Sequence, residues 1–141
     1  MEGPMRVELT EDVEAPPARV WAMIVEPAAL ARWFGPHMAL DARPGGGFRE
    51  VWRDGGREVV TSGRVTAFEE GRRLALTWAD DDWPAETAVE IAIEPRGDGS
   101  RVRLIHQGWE RLGEDGAALA AAHRDGWRHH LQNLRRFAKT P

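Results

Sequence analysis

The sequence predicts an α+β fold in which a curved antiparallel sheet is covered by one long C-terminal helix. Three observations support this prediction. Apolar and polar residues alternate near the N-terminus and again in successive segments after residue 37, as in half-buried strands. Two short helical segments interrupt the alternation between residues 16 and 34. Residues 117–138 repeat apolar side chains at helical spacing. The length of 141 residues predicts one domain, residues 1–141.

The N-terminal third supplies the first strand and two short helices. Met5 to Val13 alternates with period two, which is typical of a half-buried strand. Pro16-Pro17 ends this strand, and proline suits the first turn of the helix that follows. We predict helices from Ala18 to Val25 and from Ala28 to Trp33, because Glu26-Pro27 separates them.

The middle of the chain predicts six further strands joined by short turns. Glycine-rich segments, above all Asp54-Gly55-Gly56, mark the hairpins. Asp80 to Pro84 and Pro95 to Ser100 are expected to be loops, with the three aspartates of the first loop solvated. The predicted strands are Met38 to Ala42, Phe48 to Arg53, Glu58 to Phe68, Leu74 to Trp78, Val89 to Ile93 and Val102 to His106.

Residues 117–138 are predicted to form an amphipathic helix of roughly 30 Å, long enough to cross a sheet. Its apolar face contains Leu119, Ala120, His123, Trp127, Leu131, Leu134 and Ala138. A sheet of six to seven strands twists and curls. A helix laid across its concave face leaves a cavity where the curvature prevents close contact. The predicted arrangement is therefore a helix grip.

Composition argues against several classes of function. The chain has no cysteine, which excludes disulfides, thiol catalysis and cysteine-based zinc sites. Its net charge of −4 argues against a nucleic-acid surface. No apolar run approaches the ~20 residues needed to cross a bilayer. The N-terminus lacks the basic and apolar segments of a secretory signal, so we expect a cytoplasmic protein without membrane attachment.

No cofactor or metal is expected either. His123 and His130 are seven residues apart on the predicted helix, so they lie more than about 10 Å apart and do not share one metal ion. The predicted sheet has exposed edges, which allow a homodimer.

Several motifs together identify a family resemblance that covers nearly the whole chain. They are Val13-Glu14-Ala15-Pro16, Arg32-Trp33-Phe34-Gly35-Pro36, Pro44-Gly45-Gly46, Gly63-Arg64-Val65, Arg73 to Trp78, His106-Gln107-Gly108-Trp109 and Gly126-Trp127. The sequence resembles the START-like superfamily, also called SRPBCC, of birch-pollen-allergen-like and polyketide-cyclase-like proteins. More narrowly, it is similar to the branch of homologues of the activator of heat-shock protein ninety ATPase. The resemblance implies the helix-grip fold, whereas function must be argued from the site.

Strand parity and the helix stripe predict a cavity for a small, largely hydrophobic molecule. Seven tryptophans and no tyrosine favour large, flat apolar walls. Trp33 and Phe34 are expected at its mouth, and a core filled by aromatic rings is the alternative. The residues predicted to bind the ligand are Trp33, Phe34, Phe48, Glu50, Trp52, Leu76, Trp78, Ile91, Leu104, His106, Trp109, Trp127, His130 and Leu131.

Glu50 and His106 are the polar residues from which the functional hypotheses start. A carboxylate between aromatic residues is costly to bury without a partner, so Glu50 either faces solvent or pairs with His106. Such a pair would orient a polar group of a ligand or move a proton. The first hypothesis is noncovalent binding of a small hydrophobic molecule, in stress response or natural-product handling. The second is a cyclase- or hydrolase-like enzyme that uses this pair. The third is a co-chaperone-like module that binds a chaperone and stimulates a heat-shock ATPase.

Overall fold

The computed structural model describes residues 6–139, which form an antiparallel sheet covered by helices. The strands lie in the order β1-β7-β6-β5-β4-β3-β2, with a long C-terminal helix, α3, across one face, and the predicted helix-grip fold is confirmed. Met5, where the first strand was expected to begin, lies outside the described residues. The elements are β1 (Val7–Val13), α1 (Pro17–Val25), α2 (Pro27–Trp33), β2 (Met38–Leu40), β3 (Gly47–Asp54), β4 (Arg57–Glu69), β5 (Arg73–Asp80), β6 (Thr87–Arg96), β7 (Gly99–Gln107), a 3₁₀ helix (Trp109–Asp115) and α3 (Gly116–Lys139).

Several strand boundaries differ from the prediction. β2 ends at Leu40, and a turn begins at Asp41, whose carbonyl oxygen accepts from the backbone N–H of Arg43 over 2.9 Å. The predicted loop over residues 95–100 is mostly strand, since β6 continues to Arg96 and β7 begins at Gly99. This leaves a two-residue turn in which Gly97 has a φ of 60°, and positive φ is the conformation that glycine adopts easily.

Two features of β4 favour a curved sheet. A Cβ atom added to Gly63 would lie 1.8 Å from the carbonyl oxygen of Thr77 on β5, so this close approach of the two strands requires glycine. Further along, the register between β4 and β5 shifts between Val65 and Ala67, which marks a β-bulge. Because a bulge bends its strand and increases the local twist, it curls the sheet around the helical layer.

The helix α3 lies on the concave face, and its apolar stripe is placed as the sequence predicts. Its 24 residues extend over about 36 Å. Leu119 and His123 are half-buried at the N-terminal end of the stripe. The stripe residues that are almost completely buried are Ala120, Trp127, Leu131, Leu134 and Ala138.

A chain of hydrogen bonds crosses the core from α3 to β5. The indole N–H of Trp127 donates to Nδ1 of His106 over 3.0 Å. Oγ1 of Thr87 lies 2.7 Å from Nε2 of His106 and donates to the carbonyl oxygen of Trp78 over 2.7 Å. Because a hydroxyl has one hydrogen to donate, Oγ1 must accept from His106 Nε2–H. We call this arrangement of Trp127, His106, Thr87 and Trp78 the His106 chain.

The His106 chain holds its imidazole in the neutral form. His106 is completely buried, and burial lowers its pKa to about 2. A second proton, on Nδ1, would also point at the indole N–H of Trp127 and break that hydrogen bond. The 3₁₀ helix, which the sequence did not predict, is tied to the same residue, since Trp109 Nε1–H donates to the His106 carbonyl oxygen.

We predict that His106 makes the stability of the fold pH-dependent. The folded-state pKa of about 2 lies below the ordinary value of 6.5, so only the unfolded chain takes up this proton between those values. The contribution of His106 to the free energy of unfolding is therefore fully present above pH 6.5. It falls as the pH is lowered, by up to about 1.4 kcal/mol per pH unit. Chemical denaturation between pH 5 and pH 7 measures this effect. The free energy of unfolding should change less steeply with pH in His106→Gln than in the wild type.

The same variant should also be less stable at pH 7 by about 1–3 kcal/mol, because the buried indole N–H of Trp127 loses its acceptor. His129→Gln is the matched control, since His129 is exposed on the opposite face of α3. Equal pH slopes for the wild type and His106→Gln would show that His106 does not carry the effect.

Candidate functional site

A cleft of about 340 Å³ opens between α3 and the strands β3, β4 and β5. We call it the α3 cleft. One wall comes from the sheet and the opposite wall from α3, with one residue that follows α2. Its lining residues are Phe34, Glu50, Trp52, Thr61, Trp78, Asp80, Ala122, His123, Gly126, Trp127 and His130.

The sheet wall is a polar row across three strands. Glu50 on β3 pairs in register with Thr61 on β4, and Thr61 pairs with Asp80 at the end of β5. Because neighbouring strands lie 4.7–4.9 Å apart, the Cα atoms of Glu50 and Asp80 are about 10 Å apart. The Thr61 hydroxyl accepts from Trp52 Nε1–H over 2.9 Å and donates to Asp80 Oδ1 over 2.6 Å. Asp80 is therefore fixed in the wall, and its prediction as a solvated loop residue is wrong.

Glu50 faces the α3 cleft and not open solvent, with 14% of its side chain exposed. Its Oε2 lies 2.6 Å from Nε2 of His37, in the segment between α2 and β2. Burial raises the pKa of the Glu50 carboxyl, and the His37 hydrogen bond offsets part of this rise. Burial likewise raises the pKa of Asp80. Both carboxyl groups thus lie where their charged forms are poorly solvated.

The large side chains of the helical wall are those of His123, Trp127 and His130 on α3. Burial lowers the pKa of His123, and it lowers the pKa of His130 to about 4, so both rings are neutral at pH 7. His123 Nδ1 lies 2.8 Å from the Leu119 carbonyl oxygen, to which it donates. The His130 ring stacks on Phe34, with the ring centroids 4.1 Å apart.

Two polar atoms of the cleft wall have no hydrogen-bond partner within residues 6–139. They are Nε1 of Trp78 and Nδ1 of His130. Trp78 is 6% exposed and stacks on Phe48, with the ring centroids 4.8 Å apart. Buried polar groups normally have partners, so these two atoms are exceptions within the described residues.

Beneath the α3 cleft the interior is nearly filled. The inner apolar cavity has a volume of only about 30 Å³, comparable to one water molecule. It is lined by Leu30, Trp33, Phe34, Met38, Leu40, Phe48, Leu74, Leu76, Trp78, Val89, Ile91 and Trp127. Trp33 is 3% exposed, and its Nε1–H donates to the Met23 carbonyl oxygen over 2.7 Å. Trp33 is therefore buried against α1, which corrects its expected position at the mouth.

The structure divides the predicted ligand-binding residues among three places. Those that line the α3 cleft are Phe34, Glu50, Trp52, Trp78, Trp127 and His130. Those that reach only the inner cavity are Trp33, Phe48, Leu76 and Ile91. The remaining four are buried in the core and line neither space, namely Leu104, His106, Trp109 and Leu131.

The predicted Glu50–His106 pair is not formed. His106 uses both ring nitrogens within the His106 chain, and the partner of Glu50 is His37. The prediction missed His37 because it lies in an irregular segment, where spacing carries no information about side-chain direction.

Sequence reasoning also missed Thr61, Asp80, Ala122, His123 and Gly126 as cleft residues. Asp80 continues the inward parity of Leu74, Leu76 and Trp78, so extending β5 by one pair of residues would have found it.

A larger groove of about 510 Å³ lies on the outer face of the sheet. Several of its charged side chains are paired with neighbours: Arg73 contacts Glu69 and Glu90, and Arg101 contacts Asp12. These exposed ion pairs are solvated, which makes this groove a weaker candidate than the α3 cleft.

Among residues 6–139, no cluster of three or more histidine, aspartate or glutamate residues is arranged to hold a metal ion. Within the same residues, no helix combines the length and the apolar character needed to cross a membrane.

Solved structures similar to this chain share its fold. Protein CV1439 from Chromobacterium violaceum is 24% identical, with a TM-score of 0.82 over 99% of this chain and 100% of that chain. CalU16 from Micromonospora echinospora is 27% identical, with a TM-score of 0.67 over 94% of this chain and 73% of that chain. DynU16, a protein in the dynemicin biosynthetic locus, is 24% identical, with a TM-score of 0.78 over 98% of this chain and 48% of that chain.

A search of the curated proteins finds none that matches the sequence. The family model for Activator of Hsp90 ATPase homolog 1-like protein matches residues 14–139. This match begins at the end of β1 and continues to the last residue of α3. The chain therefore belongs to the family of Activator of Hsp90 ATPase homolog 1-like proteins, within the START-like superfamily.

Proposed function

We propose that the protein binds a small molecule with a largely hydrophobic body in the α3 cleft, without changing it covalently. The observation that carries this proposal is an open cleft of about 340 Å³ whose aromatic walls surround a few poorly solvated polar groups. Ligand sites in proteins combine these properties, with apolar walls for affinity and a few polar groups for orientation. The place of DynU16 in the dynemicin biosynthetic locus is consistent with natural-product handling.

The α3 cleft is a better site than the interior because of its size. The inner cavity of about 30 Å³ is too small for an organic ligand. Trp78 and Trp127 line both spaces, so their rings form the floor of the cleft and the roof of the interior. A ligand in the cleft would therefore rest on the indole rings and leave the core unchanged.

We predict that Gly126→Leu abolishes ligand binding without unfolding the protein. Gly126 lines the cleft on α3, and a Cβ atom added there meets no other atom within 4 Å. A leucine side chain would fill part of the α3 cleft, where the ligand is proposed to bind. Because glycine disfavours helix by roughly 0.8–1.0 kcal/mol relative to alanine, the melting temperature should not fall. Native mass spectrometry of protein purified from its own host should show a retained small molecule in the wild type and none in Gly126→Leu.

Ala121→Leu is the matched control. Ala121 is an exposed residue of α3 that does not line the cleft, so this variant should retain the same molecule as the wild type. Retention of the ligand by Gly126→Leu at the wild-type level would place the binding site elsewhere.

Acid–base catalysis on the bound molecule is a second candidate function. It is favoured by the Glu50–His37 contact and by the raised pKa values of Glu50 and Asp80, since catalytic acids and bases are commonly tuned by burial. Chaperone ATPase activation, which the family description names, is supported by no particular contact in the part of the chain described and is not included in our proposal.

The retained molecule itself distinguishes a carrier from a catalyst. A carrier should hold a molecule of the same mass in the wild type and in the Glu50→Gln/Asp80→Asn double variant, because nothing is converted. A catalyst should hold product in the wild type and accumulate substrate in the double variant. Denaturing extraction followed by accurate mass measurement compares the two. Identical masses are our expected result, and a mass difference that matches a chemical step would establish the enzyme instead.

A further inference from the structure

We infer that the ligand of the α3 cleft is an organic cation, namely a protonated amine attached to an apolar body. The inference rests on the proposed function and names its ligand class. It comes from the balance of hydrogen-bond donors, acceptors and charges among the residues that line the cleft.

Most polar groups of the cleft wall are hydrogen-bond acceptors. The Glu50 and Asp80 carboxylates accept only, and each has one oxygen without a protein partner in the described structure. His123 uses Nδ1–H to donate to Leu119, so Nε2 of its neutral ring is an acceptor. The Thr61 hydroxyl is already occupied as both donor and acceptor. A ligand that complements this wall must therefore bring donors, and an ammonium group brings three.

The charge of the cleft wall also favours a cationic ligand. Its lining residues include two carboxylates and no lysine or arginine. The next two residues along the chain show the contrast, because Asp81 and Asp82 contact the guanidinium of Arg57. Asp80 has the Thr61 hydroxyl as its hydrogen-bond donor instead. A cation in the cleft would supply a countercharge to Asp80 and to the Glu50 oxygen that His37 does not contact.

The aromatic walls add a second attraction for a cation. The faces of tryptophan rings attract ammonium groups, most strongly where water is excluded, and Trp52, Trp78 and Trp127 line this cleft. The buried indole N–H of Trp78, which lacks a partner among the residues described, is a donor, so it calls for an acceptor on the body of the ligand and not for the ammonium group.

Three probes of similar size and different charge test this inference, namely 2-phenylethylamine, 2-phenylethanol and 3-phenylpropanoate. Isothermal titration calorimetry at pH 7 and fixed ionic strength should give at least about tenfold tighter binding for the amine than for the alcohol, and the weakest binding for the carboxylate. Asp80→Asn should remove most of the preference of the amine over the alcohol. Glu50→Gln should reduce the same preference and serves as a second variant if Asp80→Asn does not fold.

Asp82→Asn is the matched control, because it removes an exposed carboxylate two residues from Asp80 but outside the cleft. Its preference for the amine should equal that of the wild type. Binding of the alcohol as tightly as the amine would overturn the cation assignment and leave small-molecule binding intact. An amine preference that survives both Asp80→Asn and Glu50→Gln would also overturn it. If no probe binds and native mass spectrometry finds no retained molecule, the proposed function fails together with the inference.

Discussion

The His106 chain is the interaction on which the rest of the architecture depends. It joins α3 to three neighbouring strands through one imidazole, whose two nitrogens are both occupied. Only one protonation state and one tautomer satisfy all of these hydrogen bonds. The His106 chain therefore holds α3 in place on the sheet, and it sets the position of the Trp127 ring.

This position of Trp127 determines where the protein is open and where it is closed. Trp127 contacts both Phe34 and Trp78, with ring centroids 5.8 and 5.2 Å apart. These rings close the interior beneath the α3 cleft. The α3 cleft lies above these rings, where the small residues Gly126 and Ala122 on α3 leave space. Core packing and ligand space are thus two sides of one aromatic layer.

Periodicity in the sequence was sufficient to predict the elements but not all of their contacts. Period-two alternation and the apolar stripe of α3 depend on burial, which most of each segment shares. The 3₁₀ helix after β7 and the bulge in β4 depend on single residues and local backbone geometry, so no repeating pattern reports them. At the site, the inward direction of Glu50 was one of two predicted alternatives. Its partner His37 was missed, because an irregular segment brings His37 to β3.

The bulge in β4 has a consequence for the direction of the side chains along this strand. On the side toward the cleft, the paired residue numbers of β4 and β5 follow one register, in which Thr61 faces Asp80. Beyond the bulge the register differs by one residue, so that Phe68 faces Leu74. A one-residue slip normally turns every side chain of a strand to the opposite face. The extra residue of the bulge therefore divides β4 into two segments with opposite inward parity. The bulge therefore lets Thr61 before it and Phe68 after it lie on the same face of the sheet, although their residue numbers differ in parity.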